Sequence, residues 1–290
     1  MNAGVWLRLG RVSNLPTVWS NVLAALALSG ESPGAASVLG LLLAMSLFYS
    51  AGMYLNDAFD RHIDARERPE RPIPSGKVGA ATVFTAGFSM LMLGALLTLV
   101  AAWNEAGATA HRAGLSAVAL GACIVFYDVY HKQNPLSPLV MGLCRVLVYV
   151  TVALAASSEL ARPVWLGAAA LLCHLIGLSY AAKQETLARL KSLWPLVFLA
   201  AAPAYGAYLA LARPEVWPFW VLYVAFSLYA LSFLLRSARR SIPGAVVRLI
   251  AAIALLDAVL IAASGAWVLA SVAAGLCAMT RLFQRVIPGT

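Results

Sequence analysis

A-S-V-L-G-L-L-L-A-M-S-L-F-Y-S-A-G-M-Y-L-N-D-A-F-D-R-H-I-D, residues Ala36 to Asp64, carries an uncharged run straight into a cluster of acids. The hydrocarbon core of a bilayer takes roughly 20 residues of helix, and Ala36–Leu55 has that length and character. Five of the twelve acidic residues of the chain fall between Asp57 and Glu70. On a helix Asp57, Asp60 and Asp64 stand at i, i+3 and i+7, which is one face, and Asn56 flanks the stripe. Three carboxylates on one stripe repel each other at the edge of a low-dielectric medium unless positive charge sits among them. Hard divalent cations take oxygen ligands, and Mg²⁺ commonly arrives with phosphate groups. The stretch therefore reads as the point where a membrane helix meets water, bearing a membrane-embedded site for a diphosphate.

The rest of the chain agrees with the membrane reading. Of its 290 residues 62% are hydrophobic and 11% charged, and the mean hydropathy is +0.82. A soluble domain of this size cannot hide that much apolar surface. Apolar runs recur as Leu15–Leu28, Ala36–Leu55, Ala81–Ala102, Ala113–Tyr130, Pro138–Ser157, Pro163–Ala182, Trp194–Ala212, Trp217–Leu235 and Gly244–Ala263. A tenth, Ala266–Thr280, is short enough to be a span, a re-entrant segment or a surface helix. None alternates as barrel strands do. The expectation is an all-α membrane protein, a bundle of nine to ten transmembrane helices forming a single domain over residues 1–290. Leu15–Leu28 reads as the first span rather than a cleaved signal, because no small-residue cleavage site precedes a soluble domain.

The net charge of +9 reports topology, not nucleic acid. With connections numbered alternately from the amino terminus, side one receives sixteen basic residues, Arg8 and Arg11 through Arg281 and Arg285. Side two receives only Arg112, Arg162 and Arg213. That bias makes side one cytoplasmic, and it favours ten crossings because an even number returns Arg281 and Arg285 to that side. The expected setting is multi-pass, in a bacterial inner membrane, with the acids facing the cytoplasm. Cys123, Cys144, Cys173 and Cys277 lie within apolar segments and form no C-x-x-C pair, which argues against a disulfide framework or zinc site.

Around the acids, the loop Ala65–Lys77 places Arg66, Arg68, Arg71 and Lys77 beside the carboxylates, stiffened by Pro69, Pro72 and Pro74. Guanidinium forks suit phosphate oxygens; the same arginines also satisfy the positive-inside rule as a solvated loop. The fourth span ends in F-Y-D-V-Y-H-K, bringing Tyr127, Asp128, Tyr130, His131 and Lys132 to the same side. Tyr130 suits the interfacial aromatic belt. Asp128 needs a partner at that depth, and Lys132 is a candidate diphosphate ligand. The sixth span ends with Tyr180, Lys183, Gln184 and Glu185.

Within the spans, Asn21, Arg145, His174, Arg248 and Asp257 are costly unless they are paired or line a cavity. Arg145 lies about two turns into its span, deep enough to face a cavity. Arg248 can snorkel. Asp257 lies nine residues further along the same segment, roughly 13 Å at the helical rise, which excludes a direct Arg248–Asp257 pair. His174 reads as a packed, hydrogen-bonded residue rather than a catalytic one.

These residues resemble the UbiA superfamily of intramembrane prenyltransferases. The signature N-D-x-x-D-x-x-x-D is complete as Asn56, Asp57, Asp60 and Asp64, and R-P-x-P-S-G follows at Arg71 to Gly76. L-P-T-V-W-S-N, Leu15 to Asn21, is similar to the family's first helix. G-L-C-R at Gly142 to Arg145 and K-Q-E-T at Lys183 to Thr186 look most like the subgroup labelled EboC. The resemblance implies Mg²⁺-dependent transfer from a prenyl diphosphate to an aromatic or other small lipophilic acceptor within the membrane. It implies metal ligation by Asp57, Asp60 and Asp64, and substrate contacts from Asn21, Asn56, Arg68, Arg71, Lys132, Arg145, Tyr180 and Lys183. Asp128 or the released diphosphate would accept the proton.

The sequence departs from the family at its second aspartate motif, D-x-x-x-D, where it reads Lys183, Gln184, Glu185, Thr186. Glu185 is the one carboxylate left there to ligate metal, and Lys183 would contact the diphosphate in place of a second ion. Two other classes fit the sequence less well. A transporter would line its path with Arg145, Arg248 and Asp257, but no internal repeat is visible. An enzyme of phospholipid headgroups would need a D-G…A-R…D-x-x-x-D arrangement, which is absent around Asp60.

Overall fold

The computed structural model describes residues 3–132, 134–183, 194–235, 241–287 and 289. Within them the chain forms α1 (Ala3–Leu9), α2 (Leu15–Ser29), α3 (Ala35–Phe59), α4 (Arg61–Glu67), α5 (Ala80–Ala106) and α6 (Ala110–Tyr130). There follow α7 (Ser137–Ala156), α8 (Arg162–Lys183), α9 (Phe198–Ala212), α10 (Trp217–Leu235), α11 (Ile242–Ala263) and α12 (Trp267–Phe283). Among the described residues there is no strand.

Each expected apolar segment coincides with a helix. Six stretches are long and apolar enough to cross a bilayer, and one of them, Ala80–Tyr130, holds both α5 and α6. The shorter α2, α9 and α12 complete the ten apolar helices among the described residues. Chemistry explains the boundaries. Pro16, Pro138 and Pro243 sit in first turns, where the missing N–H costs nothing. Gly30 ends α2 at φ 77° and Gly265 separates α11 from α12 at φ 88°, conformations that a β-carbon disfavours.

Helix α11 lies at the centre. It packs on α12, α10, α2 and α8, and 83% of its apolar stretch is buried. A helix that is apolar all round belongs inside such a bundle. The opposite pattern marks the rim, where Met92 is 75% exposed on α5 and Leu211 77% exposed on α9, as a hydrocarbon solvent allows. The α3–α5 pair is the most extensive. Glycines permit its close approach: a β-carbon at Gly94 would stand 3.1 Å from the Phe48 ring and 3.2 Å from the Ala44 carbonyl oxygen. That packing fixes α3, and with it the acidic end.

Candidate active site

One feature of the acidic stripe differs from the expectation of a single helical face. Helix α3 stops at Phe59, Asp60 caps it, and α4 begins at Arg61. Asp60 N–H still donates to Asn56 O, and Asp64 N–H to Asp60 O, at 2.9 Å each, so the helical spacing survives the corner. The corner divides the carboxylates into two sets. Asp57 and Asp64 share Arg71, whose Nη1 lies 3.2 Å from Asp57 Oδ1 and 2.7 Å from Asp64 Oδ2. Asp60 instead turns to the end of α6, with Oδ2 3.3 Å from His131 Nε2 and 3.2 Å from Lys132 Nζ. All three aspartates are buried.

Arg71 reaches back because its loop folds on itself. Arg71 N–H donates to Arg68 O, Ser75 N–H to Arg71 O, and Lys77 N–H to Pro72 O, each at 3.0 Å. Burial alone would lower the basicity of Arg71, but the charges of Asp57 and Asp64 outweigh it and hold the guanidinium above its ordinary pKa. Burial likewise opposes ionisation of Asp60. The hydrogen bonds and charges of His131 and Lys132 outweigh that penalty and keep its carboxyl below the usual range.

Sequence reasoning gave two members of this group no role at the acids. Arg11 Nη2 lies 3.2 Å from Asp57 Oδ1, and its Nη1 donates to Met53 Sδ at 3.3 Å. Its backbone sits at φ 41°, a left-handed conformation that costs a non-glycine residue roughly 1–2 kcal/mol. The sharp corner before α2 aims Arg11 at the acids. Only its place in the basic count pointed to it. His131 is the second; it stacks on Tyr127 with ring centroids 5.0 Å apart.

The other expected site residues divide by location. Asn56 Nδ2 donates to Asp128 Oδ1 at 3.3 Å, which brings Asp128 into the acidic group, while Asp128 Oδ2 is buried without a hydrogen-bond partner among the described residues. Lys183 Nζ donates to Asn134 O at 2.5 Å, tying the end of α8 to the loop after α6. Arg68 is exposed and joins no ion pair among the described residues. Tyr180 is half-buried, with no side-chain hydrogen bond among the described residues. Glu185 and Gln184 lie outside the described residues. Asn21 and Arg145 belong to a deeper group: Arg145 Nη1 donates to Asn21 Oδ1 at 2.5 Å, and its guanidinium carbon lies 5.5 Å from the centre of the Tyr49 ring.

Among the described residues no three acidic, histidine or cysteine side chains converge on one point as metal ligands. The donor chemistry nevertheless fits a hard cation. Asp57 Oδ2, Asp60 Oδ1 and Asp64 Oδ1 accept no hydrogen bond among the described residues, and the orphaned Asp128 Oδ2 lies in the same neighbourhood. Arg248 packs over Tyr229 and Phe233, and His174 bridges the Tyr223 hydroxyl and the Leu249 carbonyl at 3.0 Å each.

A multi-pass helical bundle whose one end gathers buried aspartates among arginine, lysine and histidine defines the class of protein. The chain belongs to the UbiA prenyltransferase family, whose model matches residues 14–241. It is similar to the digeranylgeranylglyceryl phosphate synthase of Ignicoccus hospitalis, 42% identical over 95 residues, which cover 32% of this chain and 30% of that one. It is also similar to the synthase of the same name from Methanosarcina barkeri, 41% identical over 81 residues, 27% of this chain and 28% of that one. The chain thus spans under a third of the length of these curated relatives. A solved structure concerned with digeranylgeranylglyceryl phosphate synthase in membranes matches 90% of this chain and 97% of its own, with a TM-score of 0.64 at 18% identity. The apo structure of a UbiA homolog from Aeropyrum pernix K1 matches 93% of this chain and 97% of its own, with a TM-score of 0.53 at 18% identity. Identities this low speak for the fold.

Proposed function

We propose that the protein transfers a prenyl group from a prenyl diphosphate to a lipophilic acceptor within the membrane, with Mg²⁺ as cofactor. The observation that carries this reading is the ring of Arg11, Arg71, His131 and Lys132 around Asp57, Asp60 and Asp64 at one end of an apolar bundle. Such an end suits a polyanionic head whose hydrocarbon tail runs on into the bundle. Asp57, Asp60 and Asp64 would hold Mg²⁺, with Glu185 as a further ligand. When bound, the ion would neutralise charge on the leaving diphosphate.

The chain's own residues supply the rest. Arg71 and Lys132 present N–H donors that a diphosphate oxygen can take up, which stabilises charge growing there as the allylic C–O bond breaks. Lys183 and Arg68 would add contacts, Asn56 orients Asp128, and Tyr180 would lie along the prenyl chain. The apolar walls keep water from the allylic cation. Asp128, with one oxygen unpartnered, would take the proton that the acceptor loses after its nucleophilic atom joins the allylic carbon. Asn21 and Arg145 would hold the acceptor's polar end. The charge asymmetry supports a site that opens to the cytoplasm.

An aromatic acceptor is the first reading. The relatives' name favours a second, an acceptor bearing a glyceryl phosphate. The test is release of diphosphate by purified protein from a panel of prenyl diphosphates, with and without Mg²⁺ and with each acceptor class. Release that depends on Mg²⁺ and on one acceptor class supports the reading; none with any pair refutes it.

A further inference from the structure

Six side chains from three spans meet deep in the bundle, away from the aspartates of the α3 end. Helix α2 contributes Thr17, Ser20 and Asn21 at i, i+3 and i+4; α7 contributes Arg145 and Tyr149; the central α11 contributes Asp257. Asp257 is fully buried and uses both oxygens: Oδ2 accepts from Ser20 Oγ at 2.5 Å and Asn21 Nδ2 at 2.8 Å, and Oδ1 accepts from the Tyr149 hydroxyl. The Asn21 amide is thereby fixed, its nitrogen toward Asp257 and its oxygen toward Arg145 Nη1. Thr17 completes the hold on Arg145, its carbonyl oxygen 3.2 Å from Nη1 and its Oγ1 3.1 Å from Nη2.

Accessibility gives this network a direction. Thr17, Ser20, Asn21, Tyr149 and Asp257 have no accessible surface, whereas Arg145 keeps some, beside the half-buried Tyr49. Tyr49 stands eight residues before Asp57 on α3, so Arg145 lies roughly 12 Å below the acidic end. A carboxylate whose oxygens are all taken cannot itself touch a substrate. It can act only through the member that remains open.

We propose that Asp257 is a positioning residue: through Asn21 it fixes the direction of the Arg145 guanidinium, which then binds an oxygen on the acceptor's polar head. This rests on the reading of Arg145 as an acceptor ligand given above. The carboxylate balances the buried guanidinium charge across the amide, so Arg145 is held without being capped by a direct ion pair. An arginine closed off by its own carboxylate would have fewer donors to offer. With Nη1 donating to the Thr17 carbonyl and Asn21 Oδ1, and Nη2 once to Thr17 Oγ1, the second Nη2 N–H and the Nε N–H are left to offer.

The experiment is steady-state kinetics with donor and acceptor varied separately, on the wild-type protein, Asp257→Asn, Arg145→Met and the double variant. Asp257→Asn raises the KM for acceptor about tenfold, the scale of one hydrogen bond to a charged group, and moves the donor KM less than about twofold. In the double variant the acceptor KM is no worse than in Arg145→Met alone. Asp257→Glu recovers part of the loss. Should Asp257→Asn fail to fold, Ser20→Ala removes one of the bonds to Asp257 without changing charge and raises the acceptor KM about twofold to threefold. Unchanged acceptor KM in the folded variants, or additive losses in the double variant, overturn the proposal. A wild-type protein that transfers no prenyl group refutes the functional reading itself, and this inference with it; a wild-type protein that transfers normally beside an unaffected variant refutes this inference alone.

Discussion

The Arg71 guanidinium stands 2.7 Å from the carboxylate of Asp64, seven residues before it, and the same nitrogen lies 3.2 Å from Asp57. One cation therefore bridges the last turn of α3 and the helix beyond the corner. The charge that the sequence placed in a loop has become part of the acidic group.

That bridge gives the first prediction. Arg71→Ala, Asp57→Ala and Asp64→Ala should each lower the rate of prenyl transfer by roughly 100-fold or more, as loss of a preorganised charge contact does. Insertion and helical content should be retained. Arg71→Lys should recover part of the loss, because both carboxylate contacts run through the single nitrogen Nη1 and an ammonium also has several N–H donors. Initial rates in reconstituted membranes decide it; near-normal turnover in both aspartate variants would remove the site.

Asp60 gives a prediction in pH. Its carboxyl is held below the usual carboxylate range, with burial opposing and His131 and Lys132 prevailing. A depressed folded-state pKa contributes stability that is fully present above the unfolded value and is lost as pH falls through the folded one. The melting-temperature gap between wild type and Asp60→Asn in detergent should stay constant above about pH 4 and close below it. A gap that instead opened on acidification would show that Asp60 is not held as an anion.

Lysines at two helix ends make separable contributions. Lys132→Ala should raise the donor KM about tenfold, through loss of a charged phosphate contact. Lys183→Ala should raise it less, since its Nζ is engaged with the Asn134 carbonyl. Glu185→Gln should cost less activity than Asp60→Asn, because one carboxylate alone remains at the second position. Equal and total loss in Glu185→Gln would point to a complete second metal site.

Topology can be tested without a substrate. In a background lacking Cys123, Cys144, Cys173 and Cys277, a cysteine at Ser75 should be shielded from an impermeant thiol reagent in intact cells and labelled once they are opened. A cysteine at Gly107, in the turn between α5 and α6, should label from outside. The reverse pattern would put the acidic end on the wrong side for a diphosphate made in the cytoplasm.

Hydropathy and local spacing by themselves determined the ten apolar segments, the membrane setting, the acidic signature and the basic loop after it. Each depends on residues within a turn or a span of one another, where the hydrophobic effect and helical periodicity act directly on sequence. Lys132 was legible for the same reason, standing beside Asp128 at the end of an apolar run. The partners were not. Arg11 meets Asp57 across 46 residues, and Asn21 meets Asp257 across 236. The packing of α2 against α3, α7 and the central α11 brings such groups together, and no local pattern encodes which distant helix will be the neighbour. The division of the stripe was likewise a tertiary decision: once α3 ended at Phe59, the end of α6 offered Asp60 a histidine and a lysine, while the folded loop offered Asp57 and Asp64 an arginine. Burying an unpaired carboxylate costs several kcal/mol, so the final geometry follows whichever cations the fold brings within reach.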